Sequence, residues 1–229
     1  MGSGRELELS RAQVAAVIFD CDGTLVDSEL MQAKALQKAL AENGVDVDLE
    51  DIKRRTTGID NGTVLRNLEI ERGLRLPRDL EANIEKLAHG LLSEGVEAID
   101  GAVEVVRALA RDNLALAVAS NSRRDLVVGM LAAVDLTEPF QGRIATRDQV
   151  KAPKPAPDVY LLAARMLAVA PDRCLAVEDS PAGVSSAHRA GMTVVGLCCA
   201  SGVYPSKDLR AAGATWVIDD LRALLRMLA

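Results

Sequence analysis

Two textures of apolar and polar residues alternate along this chain. Short, mainly apolar runs stand at Val14 to Phe19, Leu114 to Ala119, Arg143 to Ala145, Cys174 to Val177, Thr193 to Cys198 and Trp216 to Ile218. Runs that are continuous and not alternating suit the strands of a parallel sheet covered on both faces. Amphipathic stretches at Ala102 to Arg111, Arg123 to Val134, Asp158 to Val169 and Pro181 to Ala190 have helical spacing and supply the crossovers that parallel strands need. From Leu30 to Gly95 the pattern is helical throughout. There Leu30-Met31, Ala35-Leu36 and Ala39-Leu40 recur behind the capping candidates Asp27 and Ser28, and Gly44 stands at a stop. Pro77 is placed to open a further helix, in which Leu80, Ile84, Leu87 and Leu91 form one stripe that Gly95 ends.

The pattern predicts an α/β fold: a Rossmann-like parallel sheet core covered by helices on both faces, with an all-helical cap domain inserted after the first strand. Residues 5–27 and 97–229 make the core and 28–96 the cap. Val26 to Glu29 and Val96 to Gly101 are the linkers, and a hinge there would open and close the cap over the strand ends. A length of 229 residues fits one large domain or one that carries a smaller insertion, and no internal repeat is present.

Composition narrows the partners. At 49% hydrophobic and 26% charged residues the chain is an ordinary globular one, with no long polar tract. The net charge of −6, with no basic cluster longer than Lys53-Arg54-Arg55, speaks against nucleic acid or an anionic membrane as a partner. No apolar run approaches the roughly 20 residues that span a bilayer, and Ala12 to Phe19 ends in an acidic pair, so a cytoplasmic monomer or weak dimer is expected. Cys21, Cys174, Cys198 and Cys199 lack zinc-site spacing and read as reduced, buried thiols. Met1 to Gly4 reads as an added leader and is left out of the fold.

In open parallel sheets, ligands gather beyond the carboxyl ends of the strands. The first strand runs into Asp20-Cys21-Asp22-Gly23-Thr24, the second into Ser120-Asn121-Ser122, and the fourth into Glu178-Asp179-Ser180. Lys154, in Lys154-Pro155-Ala156-Pro157-Asp158, precedes the helix that leads to the fourth. These groups suit phosphoryl transfer. A carboxylate and a phosphate dianion repel, so a divalent cation and a lysine must neutralise one side. The side chains of Asp20, Glu178 and Asp179, with the Asp22 backbone carbonyl, make a hard-oxygen site for Mg²⁺. The Ser120 hydroxyl, the Asn121 backbone N–H and Lys154 would hold the phosphate oxygens.

D-x-D-G-T at Asp20 to Thr24, the hydroxyl residue Ser120, the lysine of K-P-x-P-D and E-D-S-x-A-G at Glu178 to Gly183 resemble, in order, the four motifs of haloacid dehalogenase superfamily phosphatases. The likeness spans most of the chain, and the helical insert resembles the family's first cap type. It implies that Asp20 attacks phosphorus and forms an aspartyl phosphate. It also implies that Asp22 protonates the leaving alkoxide and then takes a proton from the hydrolytic water. Related dehalogenases carry a tyrosine at position 22 and phosphonate hydrolases an alanine, so Asp22 points to a phosphate ester.

The run from Phe19 to Glu29 is similar to phosphatases of sugar phosphates and sugar-acid phosphates, including the 6-phosphogluconate type, with phosphoglycolate phosphatases close behind. β-Phosphoglucomutase-like mutases keep the second aspartate, but have a histidine where this chain has Gln32 and an arginine where it has Asn61. Gly58, Ile59, Asp60 and Asn61, with Arg123 on the core, are the candidates for touching the organic part of a small phosphorylated metabolite. Aromatic residues are only 2% of the chain, which ranks nucleotides below sugar phosphates.

Plainer readings weigh against some of these. Asp and Gly favour turns, and Ser180-Pro181 reads as a helix cap and first helical residue. His89 and His188 have no partner at metal-ligand spacing, and Arg54 and Arg55 suit a solvated helix face. A signalling receiver domain also uses acidic residues, a hydroxyl and a lysine, but its acceptor aspartate follows the third strand, whereas here the second strand ends in Ser120. A catalytically silent binder would be expected to have lost one of the four polar positions, and all four are present.

Overall fold

The first apolar run forms β1 (Ala16–Phe19), buried along its whole length. It pairs in parallel with β4 (Ala115–Ser120) on one side and β6 (Cys174–Glu178) on the other. In this computed structural model, which describes residues 13–56, 61–198 and 204–229, these strands lie at the middle of a six-stranded sheet. β5 (Ile144–Thr146) flanks β4, while β7 (Thr193–Leu197) and β8 (Trp216–Ile218) extend the other edge, all in parallel. Chain order runs outward from β1 one way, then crosses back over β1 and runs outward the other way. That reversal opens a crevice at the carboxyl ends of β1, β4 and β6.

Several strands end one residue later than their apolar runs. Ser120 pairs with Thr146, and Glu178 with Gly196. Ladder bonds are made by the backbone, so a polar side chain does not stop a strand. At the other end, Val14 and Ala15 precede β1, and Ala15 N–H donates to Arg173 C=O.

Alternate residues of the strands feed two cores. Val17 and Phe19 face the first, with Val118 and Val177, covered by α5 (Ala102–Arg111), α6 (Arg124–Ala133) and α10 (Ala223–Met227). Ala16 and Ile18 face the second, with Ala117, Ala119 and Ala176, covered by α7 (Asp158–Leu167), α8 (Pro181–Arg189) and α9 (Ser206–Ala212). The second face is lined with alanine, and the fully buried ring of Tyr160 on α7 occupies it.

Between β1 and α5 lie α1 (Glu29–Glu42), α2 (Leu49–Thr56), α3 (Asn61–Arg72) and α4 (Leu80–Leu91). α1 packs on α2 and α4 through Leu36, Ala39, Leu40, Ile52 and Ile84, and this apolar cluster continues into the first core. Where the chain enters and leaves the insert, β2 (Val26–Asp27) pairs antiparallel with β3 (Glu97–Ala98), and Ile99 N–H donates to Leu25 C=O. Helix starts depart from expectation twice. α4 begins at Leu80 and not at Pro77, because Pro77 C=O closes a turn on Leu80 N–H (3.2 Å). Its buried stripe is Leu80, Ile84 and Ala88, with Leu87 and Leu91 half-buried at the flank. Ser28 precedes α1 without capping it by side chain. Among the described residues, no helix is long and apolar enough to cross a membrane.

Leu36 is fully buried and Ile70 is 80% exposed. Leu36→Ala should cost about 2–5 kcal/mol of unfolding free energy in urea, whereas Ile70→Ala should stay within about 0.5 kcal/mol.

Candidate active site

Asp20 follows β1, and its N–H donates to Val177 C=O, which carries the ladder one residue past the strand. The chain then turns tightly: Leu25 and Val26 N–H both reach Cys21 C=O, and Gly23 lies at φ +77°. A Cβ on Gly23 would lie 2.2 Å from Asp179 Oδ2. The glycine of D-x-D-G-T is therefore required both by its backbone angle and by the carboxylate that fills the space beside it. The later motif repeats this logic, since a Cβ on Gly183 would lie 1.7 Å from Glu178 Oε1. Ser180, at the α8 N-cap, accepts from Gly183 N–H (3.1 Å), as a plain capping role requires.

Lys154 ties these loops together. Its Nζ donates to Asp20 Oδ1 at 2.5 Å and to Glu178 Oε1 at 2.6 Å. Tyr160 OH also donates to Glu178 Oε1 (2.9 Å), and Lys154 Nζ stands 5.2 Å from the Tyr160 ring centroid. Glu178 Oε2 accepts from the Ser180 backbone (3.3 Å) and hydroxyl (3.0 Å), so both oxygens of this fully buried carboxylate are engaged. Asn121 clasps the Lys154 backbone, accepting from its N–H (2.8 Å) and donating to its C=O (3.4 Å).

Asp20, Glu178 and Asp179 each bring a carboxylate oxygen within 4.8 Å of the others. Two buried carboxylates and a half-buried one then face one ammonium. Burial pushes Asp20 up to about 8, with Glu178 and Asp22 adding to the rise and Lys154 opposing it. Asp179 is raised for the same first reason, then by Asp20 and Glu178. Burial is the largest single effect on Lys154 and lowers it, but the charges of Asp20 and Glu178 outweigh it and raise the ammonium above its ordinary range. The excess of hard, negative oxygens fits a small divalent cation, which would offset the repulsion between them.

Asp22 is half-buried and, with Asp179, lines a cavity of about 690 Å³ between the sheet and the insert. Its Oδ1 accepts from Ser28 Oγ (2.7 Å), and its Oδ2 from Ser122 Oγ (2.9 Å) and Ser120 Oγ (3.3 Å). Asn121, Ser122 and Asp179 share the sheet side of the cavity, while Gln32, Asn61 and Glu85 come from the insert. Arg147, just after β5, forms an ion pair with Glu85 on α4, joining core to insert across the cavity. Burial raises the Glu85 carboxyl, and Arg147 opposes the rise. A larger groove, about 990 Å³, lies beside β3 around Arg107 and Arg222, away from all of these groups.

The structure thus gathers Asp20, Asp22, Ser120, Asn121, Lys154, Glu178 and Asp179 at one sheet edge. Gly58, Ile59 and Asp60 lie outside the described residues, and Asn61 lines the cavity. Arg123 does not line it. Its Nε stands 3.5 Å from Asp125, and from the N-cap of α6 it borders an adjoining 300 Å³ pocket with Lys86 and His89, which shares Glu85 and Leu126 with the cavity. Ser28, Ser122, Tyr160, Glu85 and Arg147 belong to the site without having been singled out for it. Ser122 alone left a trace, as a second hydroxyl two residues past Ser120.

A sequence profile of the haloacid dehalogenase-like hydrolases matches residues 17–197. Protein CbbY of Rhodobacter capsulatus is 33% identical, over 92% of this chain and 95% of its own. The 6-phosphogluconate phosphatase of Escherichia coli K12 is 28% identical, over 82% and 84%. Among solved structures, a HAD family hydrolase from Deinococcus radiodurans with bound phosphate and sodium is 33% identical and superposes with a TM-score of 0.75, over 94% and 97%.

Two of the helical glycines, Gly183 and Gly90, lead to opposite predictions. A Cβ at Gly183 collides with Glu178, whereas one at Gly90 meets nothing within 4 Å. Gly183→Ala should destabilise by about 1–3 kcal/mol through overpacking, and Gly90→Ala should stabilise by about 0.5–1 kcal/mol, both read from thermal or urea melts.

Proposed function

The chain belongs to the haloacid dehalogenase-like hydrolase family and is a phosphatase, and on that premise we propose that it hydrolyses a sugar phosphate or sugar-acid phosphate through Asp20. The observation that carries this reading is the contact of Lys154 Nζ with Asp20 Oδ1, at 2.5 Å, beside Asp179 and beneath a cavity that Asp22 faces. An ammonium and two carboxylates at the end of the central strand offer both a nucleophile and the charge to bring a phosphate to it.

Asp20 Oδ attacks phosphorus, and the bond from phosphorus to the ester oxygen breaks as the bond to Asp20 forms. Asp22 gives its proton to the departing alkoxide, so the ester oxygen leaves as a neutral hydroxyl. Asp22 then takes a proton from water, whose oxygen attacks the phosphorus of the aspartyl phosphate and releases inorganic phosphate and free Asp20. Ser28, Ser120 and Ser122 can each donate or accept through their hydroxyls, so they can hold Asp22 in place both with and without its proton. Lys154, the Ser120 hydroxyl and the Asn121 backbone N–H bind phosphate oxygens, and Glu178 and Tyr160 fix the Lys154 ammonium.

Mg²⁺ is the cation this donor set suits, held by Asp20, Asp179 and the Asp22 carbonyl with Glu178 alongside, and when bound it supplies positive charge against the phosphate oxygens. Residues 28–96 act as a cap that closes over the metabolite, and the protein works in the cytoplasm as a monomer or weak dimer, without nucleic acid or membrane.

Phosphate release from p-nitrophenyl phosphate and from a panel of phosphorylated metabolites tests the reading. Asp20→Asn should lower turnover by at least about a thousandfold. Asp22→Asn should lower it by about 10²–10⁴ for metabolite substrates whose alkoxide needs a proton. Turnover in Asp20→Asn close to that of the original protein would refute the assignment. Millimolar Mg²⁺ should raise the melting temperature by several degrees, as ligand at about 100 times its dissociation constant adds about 2.7 kcal/mol, and Asp179→Asn should abolish that rise.

A further inference from the structure

We infer that this site selects phosphate monoesters whose far end is an uncharged polyhydroxyl chain, and rejects those that end in a second anion, with Glu85 as the specificity-determining residue. The inference rests on the phosphatase reading above and names its substrate class. Beyond the reacting end, the cavity is walled by carboxylates: Asp27 and Glu29 at the first linker, and Glu81 and Glu85 on α4. Two cations stand among them, Lys53 and Arg147. Neither leaves the wall positive. Lys53 donates to Glu50 at 2.7 Å, and Arg147 is paired with Glu85. Four carboxylates against two cations leave a negative surface, and the amides of Gln32 and Asn61 complete its polar part.

Such a wall offers acceptors in excess of donors. A chain of hydroxyls matches it, because every hydroxyl brings a proton to share, whereas a carboxylate or second phosphate brings only acceptors and like charge. Among the described residues, no aromatic ring lines the cavity to stack a base. The group best shaped to grip a terminal carboxylate is the planar fork of Arg147. Glu85, only 17% exposed in its side chain, holds the Nη2 arm of that fork through Oε1 from the opposite wall. Glu85 therefore works against the wrong substrate as much as for the right one.

Sorbitol 6-phosphate and 6-phosphogluconate form a matched pair, differing at the far carbon as hydroxymethyl against carboxylate. The kcat/KM ratio should favour sorbitol 6-phosphate by about tenfold or more. Glu85→Gln, which leaves Arg147 without its charged partner, should move that ratio at least about tenfold towards 6-phosphogluconate, and Glu85→Asp should preserve it. Calorimetric titration of both compounds into Asp20→Asn with Mg²⁺ should rank them alike without turnover. A wild-type ratio at or below one, a ratio unmoved in Glu85→Gln, or binding without preference overturns the inference. Absence of turnover on p-nitrophenyl phosphate and on both sugars, with the binding preference intact, overturns the phosphatase reading and leaves the selectivity standing.

Discussion

Lys154 is buried between Asp20 and Glu178, and taking such charges out of water costs several kcal/mol per ion before any attraction is counted. The cost is offset only if each charge finds good partners, and the surroundings are arranged to supply them. Tyr160 and Ser180 satisfy Glu178, Asn121 fixes the lysine backbone, and two glycines vacate the space the carboxylates fill. Removing Lys154 takes away the one cation that faces both Asp20 and Glu178 and leaves their negative charges together in the interior. Four separate loops are thereby bound into one electrostatic unit, and the order of the strands is what brings those loops to the same edge.

Much of this was legible in the chain because it is written in backbone-scale rules. Continuous apolar runs announced buried parallel strands, and polar residues just beyond them announced the edge at which ligands collect. The places of Asp20, Ser120, Lys154 and Asp179 followed from that logic. What periodicity misread was local: Pro77 closes a turn ahead of its helix, and Ser120, Thr146 and Glu178 belong to strands that their polarity seemed to end.

Residues whose meaning depends on a distant partner were not legible. Tyr160 looks like any apolar position on a helix until Glu178 stands above its hydroxyl. Glu85 and Arg147 are 62 residues apart, and nothing in either neighbourhood forecasts the ion pair that spans the cavity. Ser28 offered itself as a helix cap, yet its hydroxyl is given to Asp22. Glu178, grouped by type with the candidate metal ligands, has both oxygens engaged by protein donors and is first of all the anchor of the lysine.

The ribbon formed by β2 and β3 bears on how the two halves of the molecule can move. The strands that enter and leave the insert are not independent tethers: they are paired antiparallel at Val26 with Ala98 and at Asp27 with Glu97. Ser28 follows the first of those strands directly, so a tilt of the insert about the ribbon would also displace the hydroxyl that donates to Asp22. In the proposed mechanism, a cap movement about this ribbon would therefore couple the entry of a molecule to the placing of the proposed proton donor.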